Sequence, residues 1–406
     1  MDLSAGDQLT TGRQACPAPN SEPRRKDSTM PVVPPPPPNP MTGLQNRWYN
    51  TILKGLAADR STAQLLQPAP LLELSDALWA YENTVPPASL TYNWQIVDCA
   101  SFFGEYTSVI EVLSRQSTFE EDIGPDVYKE WIAYLNTVIP PPTDDELPDL
   151  FQQWAMQHHP DVASIGASDL TSIAQLIDLQ KLLRTYQGPP AMPAQYMGGI
   201  KELQARLAGS QPVNLSFSST TAASDVSDTW ARGVNTHLSG LWTGAQCFDA
   251  TTVKFATSAV TASVSLSEYT AWTAIPDGNW YDSGLLHSAY TNHVGPPWVQ
   301  NCHPNWHDMF AAGSGRLLRA VASLLVADNV TCNVTSDAVF SADDQQALKA
   351  KAAAGVWPFF VPTGDGVTNN VGFDGQGKLT LETNTPKGRP LVIGATVLDI
   401  ARYLGQ

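Results

Sequence analysis

Apolar residues recur at helical spacing through most of residues 42–208. Leu44, Trp48, Ile52 and Leu56 form a stripe repeating every four residues, which predicts a helix with one buried face. Leu71, Leu74, Leu78 and Tyr81 predict a second helix over Leu71–Glu82, closed by Pro86 and Pro87. Ile96, Ala100, Phe103, Ile110 and Leu113 predict a long one from Leu90 to Arg115. Pro125 suits the first position of the next helix, which buries Trp131, Leu135 and Val138 and is stopped by Pro140, Pro141 and Pro142. Thr143 followed by Glu146 reads as a capping box ahead of Leu147, Leu150, Phe151 and Trp154. Ser168 reads as the cap of a helix carrying Leu170, Ile173 and Ile177, with Gly188 as its stop. Ile200–Ala208 is a short helix ending at Gly209.

The period changes from Gln211. Val213, Leu215 and Phe217 alternate with polar residues. The clearest alternation sets Val260, Ala262, Val264 and Leu266 against Thr261, Ser263, Ser265 and Ser267, a half-exposed antiparallel strand with one apolar and one hydroxylated face. Val253 and Phe255 suggest its hairpin partner. Residues 212–308 also hold Trp230, Trp242, Trp272, Trp280, Trp298 and Trp306. Helix is expected again over Arg316–Val326 on Leu318, Val321 and Leu325, from a Ser341 cap through Ala353, and over Ala395–Leu404. The fold class expected is α+β and predominantly helical. Its helical body spans 41–210 and 311–406, and a smaller β-rich module, 211–310, is inserted as a candidate protrusion.

Ahead of the body, residues 1–40 hold ten of the 32 prolines, five of them consecutive from Pro34 to Pro38. Proline lacks a backbone N–H, so this run suits an extended rod of about 3.1 Å per residue. With few large apolar residues to bury, residues 1–40 are expected to form a mobile arm, lying mostly on the inner face of any assembly. Charge refines the picture. The chain has 406 residues, a net charge of −16 and only 15% charged residues, against about 25% in an ordinary soluble domain. The arm is neutral, so the body carries the whole negative excess. Such a body does not grip phosphates, though it can enclose nucleic acid. Low charge with twelve Trp and twelve Tyr suits a surface covered by other copies of the chain; an Ala/Ser/Thr-rich globular protein is the plainer reading. Five cysteines without close pairing give no disulfide framework, and no apolar leader or membrane-length run is seen, so an intracellular, soluble chain is expected. The acceptor-like triplets at Asn214, Asn329 and Asn333 are read as chance.

Five features of the sequence bear on chemistry. Gly372–Lys378 nearly matches a phosphate-binding loop, but Leu379 stands where Mg²⁺ needs a hydroxyl, and Leu379 and Leu381 alternate like a strand; Gly375 and Gly377 are better turn residues. His287, His293, Cys302, His303, His307 and Asp308 are dense enough to suggest zinc, yet their spacing matches no standard site, and a proline-rich structural loop explains them. Ser314, between Gly313 and Gly315, lacks the wider nucleophile elbow. Asp144, Asp145 and Glu146 suit a helix N-terminus. No catalytic residue, metal or other cofactor is therefore expected. Arg24, Arg25 and Lys26 are either a solvated charge run or weak, sequence-independent contacts to phosphate.

In length, Pro-rich arm ending at Pro40, and helical segments bearing Trp48, Trp79, Phe102, Phe103 and Trp131, the chain resembles the capsid proteins of partitiviruses, small double-stranded RNA viruses. The resemblance implies a structural protein, not an enzyme, that assembles from dimers into an icosahedral shell with a protruding domain. It implies as partners further copies of the chain, the enclosed double-stranded RNA and a packaged polymerase, with no membrane, and a place in the virion and the host cytoplasm. The rivals are a metal-dependent enzyme centred on His287–Asp308 and an intracellular binding protein displaying the β-rich module.

Overall fold

The computed structural model describes residues 40–66, 71–87, 99–187, 194–227 and 250–406. Its elements, in chain order, are α1 (Pro40–Gly55), β1 (Ala63–Leu65), α2 (Ser75–Glu82), α3 (Phe102–Ile110), α4 (Gln116–Ile123), α5 (Pro125–Leu135), α6 (Leu147–His158), α7 (Ala163–Gln187), α8 (Ile200–Ala208), β2 (Val213–Ser218), α9 (Ala250–Thr257), β3 (Val260–Thr273), α10 (Ser283–Thr291), α11 (Trp306–Phe310), β4 (Arg319–Val339), α12 (Ala342–Lys351), β5 (Thr368–Phe373), β6 (Lys378–Asn384), β7 (Leu391–Asp399) and α13 (Ile400–Tyr403).

The seven strands form one antiparallel sheet built around β4, which is 21 residues long. On one side β3 pairs with it from Ser323 to Ser336, and β2 follows as the edge. On the other side two strands share its length. β7 pairs with Arg319–Ala327 and β6 with Thr331–Val339, so β6 and β7 run nearly end to end, separated by residues 385–390. β1 flanks β7 and β5 flanks β6.

Each face of this sheet has its own core. Leu215, Phe217, Val264, Cys332, Val334 and Leu381 face α1 and a buried aromatic segment, Val356–Val361. There Trp48 meets Trp357, Phe359 and Phe217 edge-on, at ring-centroid distances of 5.5, 5.8 and 5.8 Å. Gly355 makes this segment possible: its φ is +99°, and a Cβ there would lie 2.5 Å from the Phe360 backbone. The opposite face, with Leu324, Val326, Trp272 and Val397, packs on α2, α3, α8 and α10 through Leu78, Phe102, Tyr106, Leu203 and Leu286. A third core, of Phe119, Trp131, Phe151, Trp154 and Leu170, belongs to the helices α4–α7 alone.

The expectation of a predominantly helical fold is overturned: the described residues are 42% helix and 23% strand, with the sheet at their centre. The β-rich character is not confined to an inserted module. β2 and β3, from 211–310, are hydrogen-bonded into the same sheet as strands from both flanking stretches, and residues 39–406 form one compact unit. Within the expected Arg316–Val326 helix, Arg319–Val326 is strand, and the first half of the expected Ala395–Leu404 helix is β7, with a short helix after it. Val253 and Phe255 lie on α9, not on a hairpin strand. Pro40, assigned to the arm, is the first residue of α1, where a missing N–H costs nothing. α2 begins at Ser75 rather than Leu71, and α3 at Phe102, capped by Ser101; residues 88–98 of the expected Leu90–Arg115 helix lie outside the described residues. Ser168 lies inside α7, not at its cap. Helices at Pro125 and Ile200, the Ser341 cap, and strands at Val213 and Val260 stand where the pattern puts them.

Candidate functional site

The His/Cys window divides between two helices and the loop that joins them. Asp282 caps α10 by accepting the Leu285 N–H at 3.0 Å, which fixes His287 on that helix near Gln406. The loop then docks on the end of α3: Ser114 N–H donates to the Pro297 carbonyl at 2.7 Å, and Trp298 donates its indole N–H to Ala289 at 3.0 Å. Asn305 and Asp308 form a reciprocal cap on α11, each taking the other's backbone N–H. That cap, and then His303 at 3.2 Å, hold the Asp308 carboxyl below its usual range.

His293, Cys302 and His303 line one cleft of about 840 Å³, together with Trp298, Trp306 and Glu120. Their polar atoms are engaged separately. The His293 ring lies 4.0 Å from that of Trp306, the Cys302 thiol donates to the Pro304 carbonyl at 3.3 Å, and His303 turns to Asp308. Burial pushes the Cys302 thiol up, away from thiolate chemistry. His307 sits edge-on to Trp306. Among the described residues no group of three or more His, Cys, Asp or Glu side chains is placed to hold a metal ion.

Gly372–Lys378 is the β5–β6 turn. Gly377 has φ +81°, and a Cβ there would lie 2.8 Å from the Phe340 carbonyl oxygen. Asp374 accepts the Gln376 and Lys378 N–H groups, both at 2.8 Å. A strand follows, so no helix N-terminus is offered to a phosphate. The preceding Thr368–Val371 is part of β5. Asp144, Asp145 and Glu146 precede α6, where Glu146 accepts both the N–H and the hydroxyl of Thr143. Arg24, Arg25 and Lys26, like Trp230, Trp242 and Gly188, lie outside the described residues.

The structure adds charged groups that the sequence reading passed over. Glu82, at the end of α2, is only 1% exposed. One carboxyl oxygen accepts the Trp272 indole N–H at 2.8 Å and the other has no hydrogen-bond partner, so burial pushes its pKa up to about 8. Its position four residues after Leu78, on the same helical stripe, is the signal that could have found it. Asp328 and Glu268 are cross-strand neighbours buried in the sheet opposite the β6–β7 break. Asp328 accepts the Gly388 N–H at 2.7 Å and the Asn329 N–H at 2.9 Å, and Lys387 reaches Glu268 at 2.6 Å. On α7, burial first and then the neighbouring Asp122 push Asp169 up to about 6. These groups tie elements together and present no nucleophile beside a base.

Uncharged polar groups also form a surface. Where β2, β3, β4, β6 and β5 run side by side, their outward residues fall in three cross-strand rows. One row is Ser216, Ser263, Asn333, Glu382 and Asn370; the next is Ser218, Thr261, Thr335, Thr380 and Gly372; the third is Asn214, Ser265, Thr331, Asn384 and Thr368. All are exposed or half-buried, and Glu382 is the one charge among these fifteen positions. Thr261 and Thr335 share a hydroxyl hydrogen bond of 2.7 Å across the strands. Compared with known protein families, curated proteins and solved structures, the chain matches none.

Proposed function

We propose that this protein is a structural shell protein, whose copies associate into a closed particle around double-stranded RNA. The observation that carries the reading is the sheet face of hydroxyl and amide side chains, with one charge in fifteen positions. Single-domain proteins keep exposed sheet faces and edges from sticking together with charges, Lys above all. A face without them suits contact with another copy, because interface cores are depleted in charge. Exposed aliphatic side chains elsewhere on the sheet body, among them Val294 at 90%, Leu74 at 66% and Val339 at 54%, support the same reading.

The helical plan that accompanied the resemblance to partitivirus capsid proteins does not hold for this chain, so the proposal rests on surface chemistry and composition. RNA is enclosed by an acidic wall rather than bound by it, and the only contacts proposed for phosphate are the weak, non-specific ones of Arg24, Arg25 and Lys26. The chain acts in the virion and the host cytoplasm, without catalysis of its own; a packaged polymerase would do the chemistry on RNA. The test is nuclease protection. The full chain is assembled with added double-stranded RNA and treated with a nuclease that cuts it. Protection of the RNA in the particle fraction is expected; digestion as fast as that of free RNA overturns the proposal.

A further inference from the structure

The α4–α7 bundle, residues 116–187, has a charge unlike the rest of the chain. It holds twelve Asp and Glu against three Lys and Arg, a net of −9 out of the chain's −16. Two of the three cations are already taken by its own carboxylates: Lys129 by Asp126 at 3.6 Å, and Lys181 by Asp144 and Asp178 at 3.5 and 3.1 Å. A large carboxylate surplus is left facing solvent. The bundle also has an apolar groove at its base, a cavity of about 380 Å³ walled by Tyr128, Ile132, Leu135, Leu147, Ile173 and Ile177. Ile132 is 38% exposed there, and Arg115 and Asp144, the latter already engaged by Lys181, stand on the rim, so the carboxylate surplus surrounds the groove rather than lining it. The groove's inner wall is the bundle's aromatic core, where Trp131 and Phe119 pack on Phe151 at 5.1 and 5.3 Å.

We infer that this groove is a docking site for a cationic amphipathic helix of another protein. An amphipathic helix lays its apolar side chains into such a groove, read as anchors three and four residues apart. Charge complementarity chooses the occupant. Lysine and arginine flanking those anchors meet the surplus carboxylates, while an acidic helix, or a second copy of this bundle, is repelled. The inference does not depend on the shell proposal, since it concerns only the bundle.

The test uses the full chain and two labelled synthetic peptides with the same leucine pattern, one with lysine and one with glutamate at its polar positions. Fluorescence anisotropy is read at low and high salt. Binding of the lysine peptide alone, weakened by salt, is expected. Ile132→Asn, at an exposed position that leaves the core intact, should weaken it about tenfold. Joint Asp126→Lys and Asp144→Lys replacement should weaken it and flatten its salt dependence. Circular dichroism checks that each variant is folded. Failure to bind either peptide, equal binding of both, or binding of the lysine peptide untouched by Ile132→Asn overturns the inference, the last because it shows attraction to charge without the groove.

Discussion

At Glu82 a carboxyl group is held in the core between α2 and β3 with a single partner, the Trp272 indole. Gly198 lets the two elements close over it, since a Cβ there would lie 2.8 Å from the Trp272 ring. Tyr196 beside it is also held well above its usual range, by burial first and then by Tyr403, Glu82 and Tyr281. A carboxyl raised from 4.5 to about 8 stays protonated in the folded state through a window in which the unfolded chain has already lost the proton. Stability from this group is therefore complete below pH 4.5, falls as pH rises through the window, and is exhausted above about 8. The loss amounts to roughly 3–5 kcal/mol. Glu82→Gln keeps the group neutral at every pH. Thermal unfolding below and above the window should show a falling midpoint in the native chain and a nearly flat one in the variant; parallel profiles would show that Glu82 ionises freely in the fold.

The long strand β4 shows how one element can be specified twice and read once. Val330, Cys332, Val334 and Ala338 are buried and alternate with exposed Asn333, Thr335, Asp337 and Val339, because only one face is covered there. In the first half Leu324 to Asp328 are all buried, with helices on one face and the aromatic core on the other. Alternation vanishes in such a doubly covered strand, and a continuous apolar run fits a helical period as well as a strand. That is why Leu318, Val321 and Leu325 suggested a helix and why β7 was hidden in the same way. β3 was legible because its outward Thr261, Ser263 and Ser265 stay in solvent. The buried loop Val356–Val361 had no period to betray it. Of the candidate site, the loop between His293 and Asn305 followed from its prolines, while Glu82 and Asp328 depend on contacts from elements far away in sequence.

Asp328 also sets a prediction for the sheet. Asn329, with φ +53°, lies in β4 opposite residues 385–390, where the pairing passes from β6 to β7. Both oxygens of Asp328 pin that crossing, through Gly388 and Asn329. Asp328→Ala leaves these two N–H groups without their acceptor and should cost about 2–4 kcal/mol in urea unfolding. Asp328→Asn retains one acceptor and should lose about half as much. Equal stability of all three chains would mean that the crossing is held by the Thr385–Val330 hydrogen bonds alone.

Over the whole molecule, charge is distributed unevenly. The α4–α7 bundle takes more than half of the negative excess, and the sheet body that remains is poor in charge and carries the uncharged face of β2, β3, β4, β6 and β5. Acidic bundles repel one another and uncharged faces do not, so copies of the chain are expected to meet through the sheet body. Sedimentation velocity of the full chain at micromolar concentration, across salt and pH, tests this most directly. The native chain is expected to sediment as a large closed particle, and Asn333→Arg, which puts a charge in the middle of the face, as small species of unchanged fold. A native chain that remains a monomer or a simple dimer under every condition would contradict the account.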